Sequence, residues 1–338
     1  MQCHAEALPI AICVPARNEA AALPQFFAAV NRLEREGIAP KLCLLLDTCT
    51  DASAAVVRDH AARASMPVIV EEAAAPKANA GRARHRAMML GNRSLDGAGV
   101  LLTTDADSTP ASDWLQAMAA GLRQGDVVAG RVVRTVTRPN PLQDRLETYY
   151  EALHALRRAL DPVDWEGAAT HHCASGANLG LLAESYRSLG GFRPLASGED
   201  GQLVDDAARA GLRVRRDAAS VVHTSDRRFG RVAQGLAGTL RTLDRRGKAV
   251  DVAHPRDAAW QYRRHGAARL AFDMADFASL AVAVGLPIEH LVGVARDCPN
   301  AEAFAMRVVP TPPGGMRRVS LEVAEMELAA ITAGRRAA

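Results

Sequence analysis

Along the first half of the chain, short apolar runs alternate with stretches whose apolar residues recur at helical spacing. Ile10 to Val14 is the first run, ended by Pro15, and a helix-like pattern follows from about Leu23 to Glu36, closed by Gly37. Leu42 to Leu46 reads as a second strand, after which Thr50, Asp51 and Ser53 offer capping oxygens to a helix reaching about Ala64. Val68 to Val70 is a third strand, 79–91 a helix, and Gly99 to Thr103 a fourth strand. Pro110 to Leu122 reads as a further helix, whose first turn tolerates proline. These strands are apolar throughout instead of on one face, so the pattern predicts an α/β fold: a mostly parallel central sheet flanked by helices.

Sheets of this kind bind ligands beyond the carboxyl ends of their strands. Three polar clusters fall there: Pro15 to Glu19 (PARNE), Asp47 to Asp51 (DTCTD) and Asp105 to Asp107 (DAD). The third is chemically the most pointed, because LLTTDADSTPASDWL ends a buried run with two like charges one residue apart. Two such carboxylates suit a hard divalent cation, which takes oxygen ligands and completes its shell with water or phosphate. They equally suit the start of a helix near Pro110, which they would cap together with Ser108 and Thr109.

Composition narrows the classes. The 338 residues make one large domain or two modest ones. With 49% hydrophobic and 23% charged residues the chain is globular. The net charge is only +3 and the arginines are dispersed, which argues against a nucleic-acid partner. Cys3, Cys13, Cys43, Cys49, Cys173 and Cys298 form no CxxC pair, which predicts reduced thiols and a cytoplasmic protein. The amino terminus lacks a basic leader joined to a long apolar segment, and the later run FASLAVAVGL (277–286) falls short of the roughly 20 residues of a spanning helix. No transmembrane segment is expected.

The ordered set VPARNEA, LLLDTCTDAS, GRARHRAM, TTDADSTPASDWL, SGANLGLL, LGGF and GEDGQL resembles the family 2 glycosyltransferases, enzymes of the GT-A fold, from about Ile10 to about Gly235. The resemblance implies a nucleoside-diphosphate-sugar donor, UDP- or GDP-linked, an acceptor hydroxyl of unknown identity, inversion, and a divalent metal, Mn²⁺ or Mg²⁺. It places Pro15, Arg17, Glu19, Asp47, Arg84 and Asp105 at the donor nucleotide, with Lys77 a second basic candidate. Where the family carries a further acid, this chain has Leu46, and Cys49 stands for the usual Ser. Asp107 and Asp105, completed by a late His223, would hold the metal, since imidazole suits Mn²⁺ at least as well as Mg²⁺. Arg227 and Arg228 would clamp the diphosphate, with Gly230 permitting the loop to move.

In the pair Glu199 and Asp200, the resemblance makes Asp200 the base that takes the acceptor proton, with Glu199 beside it. Neighbouring acids also raise each other's proton affinity. The alternative is a helix that merely begins with acids complementing its dipole. Asn178 is expected against a donor-sugar or acceptor hydroxyl, Ser175 and Gly176 shape its loop, and Trp165 is a candidate stacking surface. His171, His172 and Cys173 are adjacent on an extended chain and point to opposite faces, which argues against a shared metal.

The expected division is a GT-A catalytic domain over 1–238 and a helical region over 239–338 that completes the acceptor side or forms a homodimer contact. PTPPGG (310–315) reads as a linker to a last helix, Leu321 to Ala333. Two alternatives stay open. A sugar nucleotidyltransferase would need a Gly-rich phosphate loop that is missing near the first strand. A non-catalytic nucleotide-sugar-binding regulator is suggested by Leu46, though Asp105, Asp107 and Asp200 are all present.

Overall fold

The computed structural model describes residues 7–74, 79–137, 139–226, 250–312 and 314–337. The chain divides into two compact units, the first comprising 1–138, 165–206 and 214–239, the second 139–164, 207–213 and 240–338.

The first unit is built on an eight-stranded sheet. In chain order the elements are β1 (Leu8–Ala16), α1 (Leu23–Val30), β2 (Ile38–Asp47), α2 (Ser53–Ala61), β3 (Val68–Ala73), α3 (Ala80–Ser94), β4 (Val100–Thr103), β5 (Ser108–Pro110), α4 (Trp114–Leu122) and β6 (Val127–Thr135). After α5 (Pro141–Leu160), which belongs to the second unit, come β7 (Leu179–Leu182), α6 (Ala183–Ser188), α7 (Glu199–Arg209) and β8 (Val214–Ser225). The strand order is β3-β2-β1-β4-β7-β6-β8-β5. β1 pairs in parallel with β2 and β4, and β6 with β8, while β7 and β5 run antiparallel to their neighbours. The mostly parallel sheet expected from uniformly apolar strands is present. Ile10, Ile12, Val14, Leu42, Leu44 and Leu102 pack with Phe26 and Leu23 of α1 and with Trp114 and Met118 of α4 in one buried cluster. That cluster fixes which strand ends converge.

Two local expectations are corrected. The first helix ends at Val30, not Glu36, because the chain turns away there and the Glu34 N–H donates to Ser112 O at 2.8 Å instead of continuing the helix. The helix expected from Pro110 begins at Trp114, with Asp113 at its N-cap position, because 108–110 is a strand: Ser108, Thr109 and Pro110 pair with Thr224, His223 and Val222. Three residues ending in proline carry no periodic signal, so only the long-range pairing reveals β5.

In the second unit, α5 buries Leu146, Tyr149, Leu153 and Leu156 in a cluster with Ala258 and Ala259 of α8 (Pro255–Met274) and Leu321, Ala324 and Leu328 of α12 (Leu321–Ala337). The expected boundary near 238 therefore misses α5, whose apolar stripe is covered by helices more than 100 residues later in the chain. A two-stranded ribbon, β9 (Asp251–Ala253) with β10 (Arg318–Ser320), accompanies them. A second cluster joins α8 to α9 (Ala278–Val284), α10 (Ile288–Asp297) and α11 (Ala301–Val308). Inside it the Arg269 guanidinium pairs with Asp161 and Glu302. Among the described residues no single helix is long and apolar enough to cross a membrane; α9 and α10 meet that length and composition only together, bent by 105°.

Candidate active site

The loops after β1 and β2 are stitched into one surface by side chains that sequence had marked as polar clusters. Asp51 accepts from the Ala20 N–H at 3.0 Å and the Ser53 N–H at 2.9 Å, and the Ser53 hydroxyl in turn accepts from the Glu19 N–H at 2.9 Å. Burial works against the Asp51 charge, but these hydrogen bonds outweigh it and hold its carboxyl below the ordinary range. Asn18 and Thr48 take positive φ, 53° and 55°, and the Asn18 side chain accepts from the Thr50 N–H at 2.7 Å. Cys49, where the family has Ser, donates to Ala16 O at 3.5 Å and accepts from the Asn18 N–H. Asp47 is nearly buried, 3.5 Å from the Arg17 guanidinium. Pro15, the last residue but one of β1, lies half-buried beside them, and the Glu19 carbonyl opens α1 by accepting from Ala22 and Leu23. The structure therefore brings Pro15, Arg17, Glu19 and Asp47 together at the carboxyl edge of β1 and β2.

Arg84 is the residue on which the remaining motifs converge. Of the arginines in its helix, Arg86 and Arg93 pair at the surface with Glu71, whereas Arg84 is only 8% exposed. Its Nη1 donates to Thr103 Oγ1 at 3.0 Å and to Gly176 O at 2.7 Å, its Nη2 to Asp105 Oδ1 at 2.9 Å, and its Nε to Glu199 Oε1 at 3.4 Å. Burial disfavours its charge, and Asp105 and Glu199 more than restore it, so the guanidinium stays protonated. Asp200 is half-buried at the start of α7, where Oδ2 accepts from the Gly176 N–H at 3.0 Å and Oδ1 from the Gly201 N–H at 2.8 Å. Asp105, Glu199 and Asp200 thus belong to one hydrogen-bonded assembly. The family resemblance places Arg84 at the donor nucleotide; its partners Thr103 and the Gly176 carbonyl are not marked by the sequence. The available signal was a pair of threonines, Thr103 and Thr104, fully buried at the end of an apolar run.

Other expected residues lie elsewhere. Asn178 is 0% exposed, with Nδ2 on Arg131 O at 2.9 Å and Ser220 O at 3.0 Å and Oδ1 accepting from Trp114 Nε1 at 2.8 Å. It braces β6, β8 and α4, and the structure does not bring it to a sugar hydroxyl. Trp165 donates its indole N–H to Val214 O at the amino end of β8, the edge opposite the site. His171 is buried between Ala129 O, 3.1 Å from Nε2, and the Cys173 N–H; burial, then the charge of Arg216, pushes its imidazole down to about 4. That is a structural histidine. Arg227, Arg228 and Gly230, and Lys77, lie outside the described residues.

The acids at 105 and 107 do not cap the helix that follows, because that helix begins at Trp114. Both are half-buried at the carboxyl edge of β4. Asp105 commits one oxygen to Arg84. His223 is exposed on β8 and pairs in register with Thr109. Among the described residues no group of three or more His, Cys, Asp or Glu side chains is gathered around one point. The donor set at 105–107 is all carboxylate oxygen. That fits a hard cation of the Mg²⁺ type, which binds through one or two protein carboxylates and fills its other positions with substrate phosphate and water.

A carboxylate-rich edge on a mostly parallel sheet, with the loops after β1 and β2 forming one surface, defines an α/β protein whose ligands are bound beyond the carboxyl ends of its strands. The sequence profile of glycosyl transferase family 2 matches residues 11–179, half of the chain. The chain belongs to that family and is a glycosyltransferase. Among solved structures it is similar to S. aureus TarS 1-349 in complex with UDP-GlcNAc, at 13% identity and TM-score 0.51, covering 89% of this chain and 90% of that one. The mannosyltransferase PcManGT from Pyrobaculum calidifontis, in complex with GDP-Man and Mn²⁺, aligns at 17% identity and TM-score 0.47 over 97% of this chain and 76% of that one. At these identities the likeness concerns the fold. No curated protein matches the chain.

Proposed function

We propose that the chain transfers a sugar from a nucleoside diphosphate, UDP or GDP, to an acceptor hydroxyl with inversion at the anomeric carbon. The observation that carries this reading is the single hydrogen-bonded assembly that runs from Asp105 through Arg84 to Gly176 and Asp200. It links Asp105, an acid suited to a cation that binds a diphosphate, to Asp200, the acid suited to a base, in one network. The TarS complex with UDP-GlcNAc supports this donor class.

In the proposed reaction Asp47, Arg17 and the backbone of Pro15 to Glu19 hold the base and ribose. Asp107, with the free oxygen side of Asp105, would hold a divalent cation, Mn²⁺ or Mg²⁺, and His223 is the candidate for a further position. When bound, that cation neutralises charge on the departing diphosphate. Arg227 and Arg228 are assigned to the same diphosphate. Asp200 takes the acceptor O–H proton as that oxygen bonds to the anomeric carbon, and the carbon's bond to the diphosphate oxygen breaks on the opposite face. Two backbone N–H groups aim the Asp200 carboxylate.

The test is a thermal-shift series with UDP, GDP and their sugars, with Mn²⁺ and with chelator. Stabilisation by a nucleoside diphosphate only in the presence of metal is expected. Equal stabilisation in chelator removes the cation from the reading, and no response to any nucleotide refutes the donor class.

A further inference from the structure

Arg84 is buried, yet its hydrogen bonds reach three separate parts of the chain: the end of β4 at Thr103 and Asp105, the loop before β7 at Gly176, and the first turn of α7 at Glu199. A guanidinium has five N–H donors in one plane. Four are engaged here, so the side chain has no fork left to offer a phosphate.

Its surroundings leave it little room to turn. A Cβ on Gly176 would lie 2.4 Å from Arg84 Nε, so only glycine lets the guanidinium pass. The Phe192 ring lies 5.8 Å from Cζ. The start of the same helix is docked on the chain leading into α7. Asn79 donates to Pro194 O at 2.8 Å, and Gly81 sits so close that a Cβ would lie 1.9 Å from Arg193 O.

We infer that Arg84 is a positioning residue that couples Asp105, on the diphosphate side of the site, to Asp200, the base, with Glu199 as the counter-charge that keeps it in place. On one side it fixes an oxygen of Asp105. On the other it holds the carbonyl of Gly176, whose N–H holds Asp200. The distance between the two reacting ends of the site is thereby set by one side chain. The inference rests on the transferase reading for the meaning of that distance, but not for the clamp itself.

The experiment compares wild type with Arg84→Lys and Glu199→Gln, using Arg86→Gln as a surface control. Amide hydrogen exchange is followed at 174–178 and 199–202. Lys keeps the charge but makes one contact, so exchange in both segments should quicken by about tenfold or more while the sheet strands and the control stay unchanged. UDP and GDP with Mn²⁺ should bind Arg84→Lys within about threefold of wild type. Release of nucleoside diphosphate from UDP-GlcNAc or GDP-mannose should fall about 100-fold in kcat with KM little altered. A tenfold loss of nucleotide affinity with unchanged exchange at 174–178 would make Arg84 a phosphate ligand and overturn the inference. Exchange that quickens throughout the first unit would make it a general structural residue and overturn it as well; Glu199→Gln, which keeps the shape, repeats the test if Arg84→Lys fails to fold. Should wild type turn over neither donor, the transferase reading fails, and the exchange result still decides the clamp.

Discussion

Replacing Asn178 with Leu keeps the side chain's size and removes its hydrogen bonds, which separates the two roles that sequence and structure assign to it. In the fold the amide joins Trp114 Nε1, Arg131 O and Ser220 O, all within 3.0 Å, at a position with no solvent exposure. Leu would strand an indole N–H and two carbonyls away from water, at about 1–3 kcal/mol for each group left unsatisfied. Partial relaxation brings the expected loss to about 3–5 kcal/mol. For a unit of this size that lowers the melting midpoint by about 10 °C. The assay is a thermal melt followed by circular dichroism, with urea unfolding as a second measure. A midpoint within about 2 °C of wild type, together with a raised donor KM, would refute the bracing role and return Asn178 to the sugar.

Further outcomes follow from the same contacts. Asp107→Asn should abolish the metal-dependent thermal shift by nucleoside diphosphate, read as the difference between melts of the same variant with and without nucleotide; a shift of wild-type size would remove Asp107 from the cation. Asp200→Asn should lower transfer about 10²–10⁴-fold with nucleotide affinity retained, as for removal of a general base; an equal loss of nucleotide affinity would place Asp200 at the donor instead. Asp51→Ala loses the bonds from Ala20 and Ser53 and should cost about 1–2 kcal/mol in a urea titration, with weaker nucleotide binding because two loops come apart. His171 is held neutral, with its imidazole pushed down to about 4 against an ordinary value of about 6.5. The unfolded chain therefore binds the extra proton first, so stability is complete above about pH 6.5 and declines as pH falls toward 4. His265, also pushed down to about 4 by burial and by Arg269, adds a decline of the same sign. Urea midpoints measured across that range should fall less steeply in His171→Gln than in wild type; parallel curves would exclude His171 as a source.

Much of the first unit was legible in order and period. Uniformly apolar strands call for a sheet covered on both sides, and polar residues straight after such strands must sit at its carboxyl edge, because the chain leaves the core there. Hence order and period alone place PARNE, DTCTD and DAD together. What a side chain does at that edge was a different matter. Arg84 and Arg86 are two residues apart in one helix, yet one is clamped inside by Asp105 and Glu199 and the other pairs with Glu71 at the surface. Helical period separates their faces, but only the packing of α3 against the sheet decides which face is interior. In the same way, whether Asp105 and Asp107 cap a helix depended on β5, a strand that exists only because β8 lies beside it. The membership of α5 in the second unit depended on apolar partners supplied by α8 and α12. Periodicity is a property of neighbours along the chain and survives in the sequence. The sign of a face, the partner of a charge and the end of a helix are fixed by contacts between distant segments, whose free energy outweighs local preference.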